Sequence, residues 1–370
     1  MRILHITEKM VELAELPETL PDHGFLWIGC GRRQFEVQRE RLQNLLEHWT
    51  GQPLVDLHVQ DLLNAQLPSS FDYTSHYDLL VFRRLAASAD SAKLFLDDEH
   101  GTLSSAKEAL RSIDTSPVGF AVFDRVLITV HPADCPIREG FIHRLRQMSA
   151  THAQTGVQAR LANLRLPPSP ADLMLRMVNQ MVDSYLELRR LLTRQLSYLQ
   201  AQLLSPNSNF DHWQLLLDAR NALHLLEDNC EDQRAAIGEW LDVMHEWPAP
   251  QTEGEARDRE LLRVRSRDVI EHIERVLSHV RRLESSAEAA VQMHFSAQSH
   301  RTNAIMRTLT VLTAVFLPLN LITGFFGMNF EFLPLIHQHN GIWLATLIML
   351  AVGFGLLWIF WKKRYLGRRN

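Results

Sequence analysis

Two carboxamides, two hydroxyls and a glycine recur on one side of an apolar stretch near the C-terminus. Counting from Asn303 in steps of three and four reaches Met306, Thr310, Thr313, Leu317, Asn320 and Gly324. Residues 308–326 carry no formal charge, and the stretch ends in TGFFGMNF at 323–330. A polar group placed against hydrocarbon without a partner costs roughly 2–7 kcal/mol. Such a face must therefore point at protein or at a water-filled path. One helix cannot enclose a path, so several copies would have to ring together with this helix inside. The competing reading is that Asn320 and the threonines tie helices together in the membrane.

The elements that would hold this face are legible from charge and hydropathy. Residues 341–361 form a second uncharged run, with Trp343, Trp358 and Trp361 near its ends, as at a membrane interface. Arg301 and Arg307 precede or begin the first run, a basic tail at 362–370 follows the second, and the loop at 328–340 has no Lys or Arg. The positive-inside rule then predicts a hairpin in the inner (plasma) membrane, in contact with lipid, with both termini cytoplasmic. The N-terminus has no apolar h-region, so no secretory signal is read there.

Upstream of the first run, no proline occurs between Pro250 and Pro318, and one helix of about 255–326 is predicted. At 1.5 Å per residue it would be on the order of 105 Å long. Only about 30 Å of that fits a bilayer, which predicts a stalk. Val269, Ile273, Val276, Val280, Leu283, Ala287, Ala290, His294 and Ala297 alternate four and three apart. That is a heptad seam asking for another helix, either from a second chain or from the same domain.

The rest divides by composition. Residues 1–165 read as α/β, with strands at 25–31, 77–85 and 119–132 and helices at 35–49 and 138–150. Pro167, Pro168 and Pro170 break the chain. Ser169 then caps a helix of about 170–204, and a second of about 209–246 returns as its hairpin partner. The organisation predicted is a cytosolic α/β domain (1–165), a helical hairpin (166–250), a stalk (251–303) and a first span (304–327). An outer loop (328–340), a second span (341–361) and a basic tail (362–370) follow. The fold class is an α+β membrane protein.

Bulk properties exclude other classes. The net charge is −5 with a pI of about 6.4, which leaves no electrostatic footprint for nucleic acid. Cys30, Cys135 and Cys230 are sparse and unpaired by spacing, as in a reducing cytosol. GCGRR at 29–33 has Gln34 where a dinucleotide fingerprint needs its third glycine. No HExxH, P-loop, GxSxG or zinc-enzyme histidine spacing occurs, so no enzyme is predicted.

The stretch TNAIMRTLTVLTAVFLPLNLITGFFGMNFEFLP (302–334), with the second span and basic tail, resembles the pore segment of the CorA family of divalent-cation transporters. RDVIEH at 267–272 and LITVH at 127–131 are also similar to that family. The resemblance reaches from about residue 119 to the C-terminus. It implies a homopentameric funnel transporting Mg²⁺, with Co²⁺ and Ni²⁺ as further ions, and Zn²⁺ in a branch of the superfamily. It places a ring of Asn329 amides at the outer mouth, within the Gly327-Met328-Asn329 signature. It also implies a hydrophobic constriction at Leu309 and Leu317, a polar ring at Asn303, and a deformation point at Pro318.

The chemistry is coherent. Mg²⁺ gives up water reluctantly, and neutral amides can hold a hydrated ion without trapping it. A glycine at 327 would let the backbone turn sharply beside a helix C-terminus of partial negative charge. Asp268 matches a stalk position that helps bind a regulatory cation between subunits, the alternative being a solvated helix charge. Its second ligand is not evident, and Asp97, Asp98 and Glu99 qualify by composition alone. Two features depart from the family. Leu333-Pro334-Leu335-Ile336 lacks the usual loop glutamate, leaving Glu331 as the only acid there. His337 and His339 in the same loop suit Zn²⁺, Ni²⁺ or Co²⁺ better than Mg²⁺. A non-conducting, membrane-anchored sensor is the reading from another class.

Overall fold

Strand β3 (Phe25–Gly31) carries no charged residue and is buried almost throughout. Beside it runs β9 (Val126–His131), and β8 (Pro117–Val122) lies next to β9; every residue of both is buried. Strands this apolar must be covered on both faces, and they are. The computed structural model describes residues 1–87, 113–132, 136–154, 165–204, 213–328 and 341–363. It divides the chain into two units, Met1–Glu288 and Ala289–Asn370.

In the first unit, β1 (Arg2–Ile6), β2 (Met10–Leu13), β4 (Ser70–Tyr73) and β5 (Asp78–Arg83) complete a seven-stranded sheet. The order is β2-β1-β3-β9-β8-β5-β4. Among the described strands only β3 and β9 pair in parallel, with Ile28 opposite Ile128. A two-stranded ribbon joins β6 (Ala86–Ala87) to β7 (Ile113–Asp114). One sheet face packs Ile28, Ile128 and Val130 against α1 (Arg32–Val37), α2 (Arg39–Thr50) and α3 (Asp56–Leu63) through Phe35, Leu46 and Leu62. Gly119 in β8 lets α3 pack close, because a Cβ there would press on Leu62 Cδ2 and force that side chain to shift.

The other sheet face, with Trp27, Leu127 and Phe120, shares its core with five helices. These are α4 (Pro136–Gln154), α5 (Pro170–Asp183), α6 (Tyr185–Leu204), α7 (Trp213–Glu246) and the first part of α8 (Glu253–Phe326). Ser169 caps α5, accepting from the Asp172 amide at 3.2 Å, and Pro170 occupies its first turn, as read from the sequence. Asp172 is itself buried and pairs with Arg176 at 2.8 Å and with Arg265 of α8 at 2.6 Å.

Four expectations are refined. Residues 119–132 form not one strand but a hairpin, closed where the Phe123 amide donates to Val126 O at 2.9 Å; the polar pair Asp124-Arg125 makes the turn. The helix at 35–49 is two helices that break at Gln38, and α2 stops at left-handed Gly51, where a glycine carries no Cβ penalty. The helix at 170–204 is interrupted at Ser184. Its hydroxyl donates to Met181 O at 2.5 Å, a local bond that competes with the helical ladder.

The heptad seam is the fourth. Val269, Ile273, Val276, Val280 and Leu283 are buried in the chain's own core with residues of α6 and α7, and Ala287 packs against it. Over that stretch the partner helices come from the same domain, so the seam is not evidence for a second chain. Only its end behaves differently: His294 is half-buried and Ala297 exposed.

The second unit holds the rest of α8 and α9 (Gly341–Lys362). Both have membrane-spanning length and composition. Residues 329–340 lie outside the described residues, as do 88–112.

Candidate cation path

The two spanning helices touch along a narrow apolar stripe. Val311 and Val315 of α8 are its buried residues, with Ala314, Pro318, Leu319 and Ile322 half-buried around them. Leu319 lies over Gly353 of α9, its methyl 3.8 Å from where a Cβ would stand. Val315 and Leu319 share a groove with Thr346, Met349 and Leu357. This stripe fixes which side of α8 is left over.

The leftover side is the polar face. Asn303, Met306, Thr310, Thr313, Leu317, Asn320 and Gly324 are all exposed. At 3.6 residues per turn, their mean direction lies about 140° from the buried stripe. The second span therefore does not shield this face, and the helix-glue reading finds no partner for it within the described residues of the hairpin. Leu317 is 67% exposed and central to the face, whereas Leu309, though exposed, sits about 70° off its mean direction.

Local bonding decides what the face offers. Thr310 Oγ1 donates to Met306 O at 2.7 Å and Thr313 Oγ1 to Leu309 O at 2.9 Å. Each hydroxyl proton is committed to the preceding turn, so its lone pairs face outward. A hydroxyl oxygen has two such acceptor sites. The face thus presents acceptors, which suits water polarised by a cation.

The helix passes through Pro318, which has no amide to donate to Ala314 O. It ends where Gly327 N–H donates to Thr323 O at 2.9 Å and Met328 N–H to Phe325 O at 3.4 Å. Gly327 does not take a positive φ, so the sharp left-handed turn is not why glycine stands there. A Cβ there would lie 3.0 Å from Thr323 O, a tight contact within the last turn. Met328 is exposed. Asn329 and Glu331 lie outside the described residues, as do His337 and His339.

In the first unit, Asp268 projects from α8 with its side chain about half exposed. His272, one turn on, stands between two carboxylates: Nε2 is 3.7 Å from Asp268 and Nδ1 is 3.5 Å from Asp183 of α5. Asp183 was not identifiable from sequence, being 85 positions from Asp268 (268 − 183) and brought to α8 only by folding. The acids Asp97, Asp98 and Glu99 lie outside the described residues.

Comparison with known proteins completes the picture. The model of the family described as "CorA-like Mg2+ transporter protein" matches residues 33–364. The cobalt/magnesium transport protein CorA of Thermotoga maritima is 29% identical over 100 residues, 27% of this chain and 28% of that protein. The putative metal ion transporter YfjQ of Bacillus subtilis is 32% identical over 96 residues, 26% of this chain and 30% of that protein. The matched segments thus span under a third of these relatives' lengths.

The complete structure of the CorA magnesium transporter from Methanocaldococcus jannaschii superposes with a TM-score of 0.67 at 17% identity, covering 97% of this chain and 96% of that one. The structure of the full-length CmaX protein gives 0.53 at 16% identity, over 98% and 96%. These likenesses establish the fold: an N-terminal α/β domain, a long helix and two C-terminal apolar helices. With the family model spanning all but the ends of the sequence, the chain belongs to the CorA-like Mg²⁺ transporter family.

Proposed function

We propose that this chain is a divalent-cation transporter of the inner (plasma) membrane, not an enzyme, that works as a homopentamer and carries mainly Mg²⁺, with Co²⁺ and Ni²⁺ as further ions. The observation that carries this reading is the acceptor-bearing face of α8, turned away from α9, its neighbour among the described residues of the hairpin. Copies of the first span line the path. The second span, with Ile342, Trp343 and Leu347 exposed, faces lipid. Both termini lie in the cytoplasm, as the basic flanks require.

A hydrated ion meets the Asn329 amides first, then the hydroxyls and Asn320, and passes the collar formed by Leu317. Mg²⁺ keeps its inner waters through this passage. The lining's acceptors bond those waters rather than the metal, so release is not opposed by a carboxylate ring. Met306 and Asn303 form the cytosolic end. Asp268, with Asp183 and His272 beside it, is the regulatory position; loss of a bound dication there would leave neighbouring acids to repel one another.

A Zn²⁺ transporter of the same superfamily is the second reading, favoured by the His337/His339 pair. Uptake into proteoliposomes, compared side by side for Mg²⁺, Co²⁺, Ni²⁺ and Zn²⁺, separates the two. Asn329→Ala is expected to abolish uptake while assembly persists. Protein that passes no dication in either form would be the non-conducting sensor, and the reading would fall.

A further inference from the structure

One face of α7 and the facing side of α8 in the first unit are joined by a ladder of charges. Arg220 lies 3.6 Å from Glu288, and His224 Nε2 lies 3.1 Å from Glu284 Oε1. Arg281 donates to both Glu227 and Glu231 at 2.6 Å. Within this ladder His224, Glu227 and Glu284 stand apart. One ligand atom from each lies within 4.8 Å of the other two.

We propose that these three side chains form a binding site for a transition-metal dication of the Zn²⁺ type. The site is separate from Asp268 and does not rest on the pore reading. Three features support it. The first is spacing. A four-coordinate metal with ligand bonds of about 2.0–2.2 Å holds its donors roughly 3.4 Å apart. The His224–Glu284 pair is already at 3.1 Å, and a rotamer change of Glu227 closes the third side.

The second feature is rigidity. His224 and Glu227 are three apart on α7 and share a face. The neighbours Leu223, Leu226, Val280 and Leu283 are buried in the core, so the two helix backbones are fixed while the ligands stand at the rim. The third is chemistry. An imidazole with two carboxylates carries −2, which balances a dication, and nitrogen selects Zn²⁺, Co²⁺ or Ni²⁺ over Mg²⁺. His224 is about half exposed, leaving access and a fourth position for water.

Arg281 is the competitor. It holds Glu227 through Oε1 only, so the second carboxylate oxygen is available, and Glu231 can retain the guanidinium when metal binds. A bound ion would therefore clamp α7 to α8 in place of an ion pair.

The test uses the full-length protein in detergent, stripped with a chelator and titrated with Zn²⁺, or with Co²⁺ followed by its visible ligand-field absorption, in saturating Mg²⁺. One tight Zn²⁺ per protomer is expected. His224→Ala and Glu284→Gln should each weaken it at least tenfold, since even a partner outside the ligand set costs about 10–100-fold. Arg281→Gln should tighten it by removing the competitor. Asn329→Ala should leave it unchanged, which separates this site from the pore. Zn²⁺ should raise the melting temperature of the wild type and not of His224→Ala, with the metal-free proteins melting alike. The proposal is overturned if no Zn²⁺ binds above the Mg²⁺ background, if His224→Ala binds as tightly as wild type, or if Arg281→Gln weakens binding.

Discussion

Thr313→Val is the sharpest test of which way the polar face of α8 points. The change is nearly isosteric and keeps the β-branch, so packing is barely altered. It removes one hydroxyl whose proton is already given to Leu309 O at 2.9 Å and whose lone pairs face outward. A hydrogen bond to a charged group contributes about 1.5–3 kcal/mol. Here the partner is a shell water rather than the ion, so about 1 kcal/mol is the better figure, which is roughly fivefold in rate. Thr346→Val is the matched control. That hydroxyl is likewise bonded to its own helix, to Ile342 O at 2.8 Å, but it lines the groove shared with Val315 and Leu319. Its loss should change flux by less than about twofold. Initial Mg²⁺ uptake into proteoliposomes, normalised to protein incorporated, reads both. A neutral Thr313→Val, or an equal fall in the two variants, would refute the assignment of the face to the path.

Leu317→Gly should raise the leak measured with internal Mg²⁺ present, because the collar loses its apolar side chain; an unchanged closed state removes Leu317 from the gate. Asp268→Ala should lessen the restraint that internal Mg²⁺ places on uptake, read as flux against internal concentration, and an unaltered curve removes the regulatory role. In the α/β domain, burial and then the nearby Asp124 push the Asp78 carboxyl up to about 6 from 3.8. Its folded value lies above its unfolded one, so ionising it costs stability. That cost is absent below about pH 4, grows between 4 and 6, and reaches roughly 1–2 kcal/mol at pH 7 after screening. Asp78→Asn should therefore stabilise the protein at pH 7 and not at pH 4, by denaturant unfolding at both; a difference independent of pH would exclude ionisation as its cause. Burial lowers His131 to about 3, which works in the opposite sense below pH 6.5, so only the variant-minus-wild-type difference isolates Asp78.

The sequence alone determined the features that depend on local chemistry. Uncharged runs of spanning length, their basic flanks and the absence of proline from 251 to 317 fixed two membrane helices and the long helix before them. The period of the polar residues fixed one face on the first span, because helix geometry is set by the backbone and not by neighbours. Ser169 and Pro170 marked a helix start correctly, since capping is a contact of a few residues. The GMN signature and its surroundings identified the family.

Tertiary structure decided what each face meets. A heptad pattern reports that a helix is wanted but not whose, and α6 and α7 of the same chain supply it to Val269–Leu283. Asp183 joins Asp268 and His272, and Glu284 joins His224 and Glu227, only because packed helices bring together positions up to 89 apart in the chain. The glycine at 327 was visible as a letter, but the tight space around it, with a carbonyl of the preceding turn 3.0 Å from where a Cβ would stand, is a distance, and distances between atoms exist only once the chain has folded.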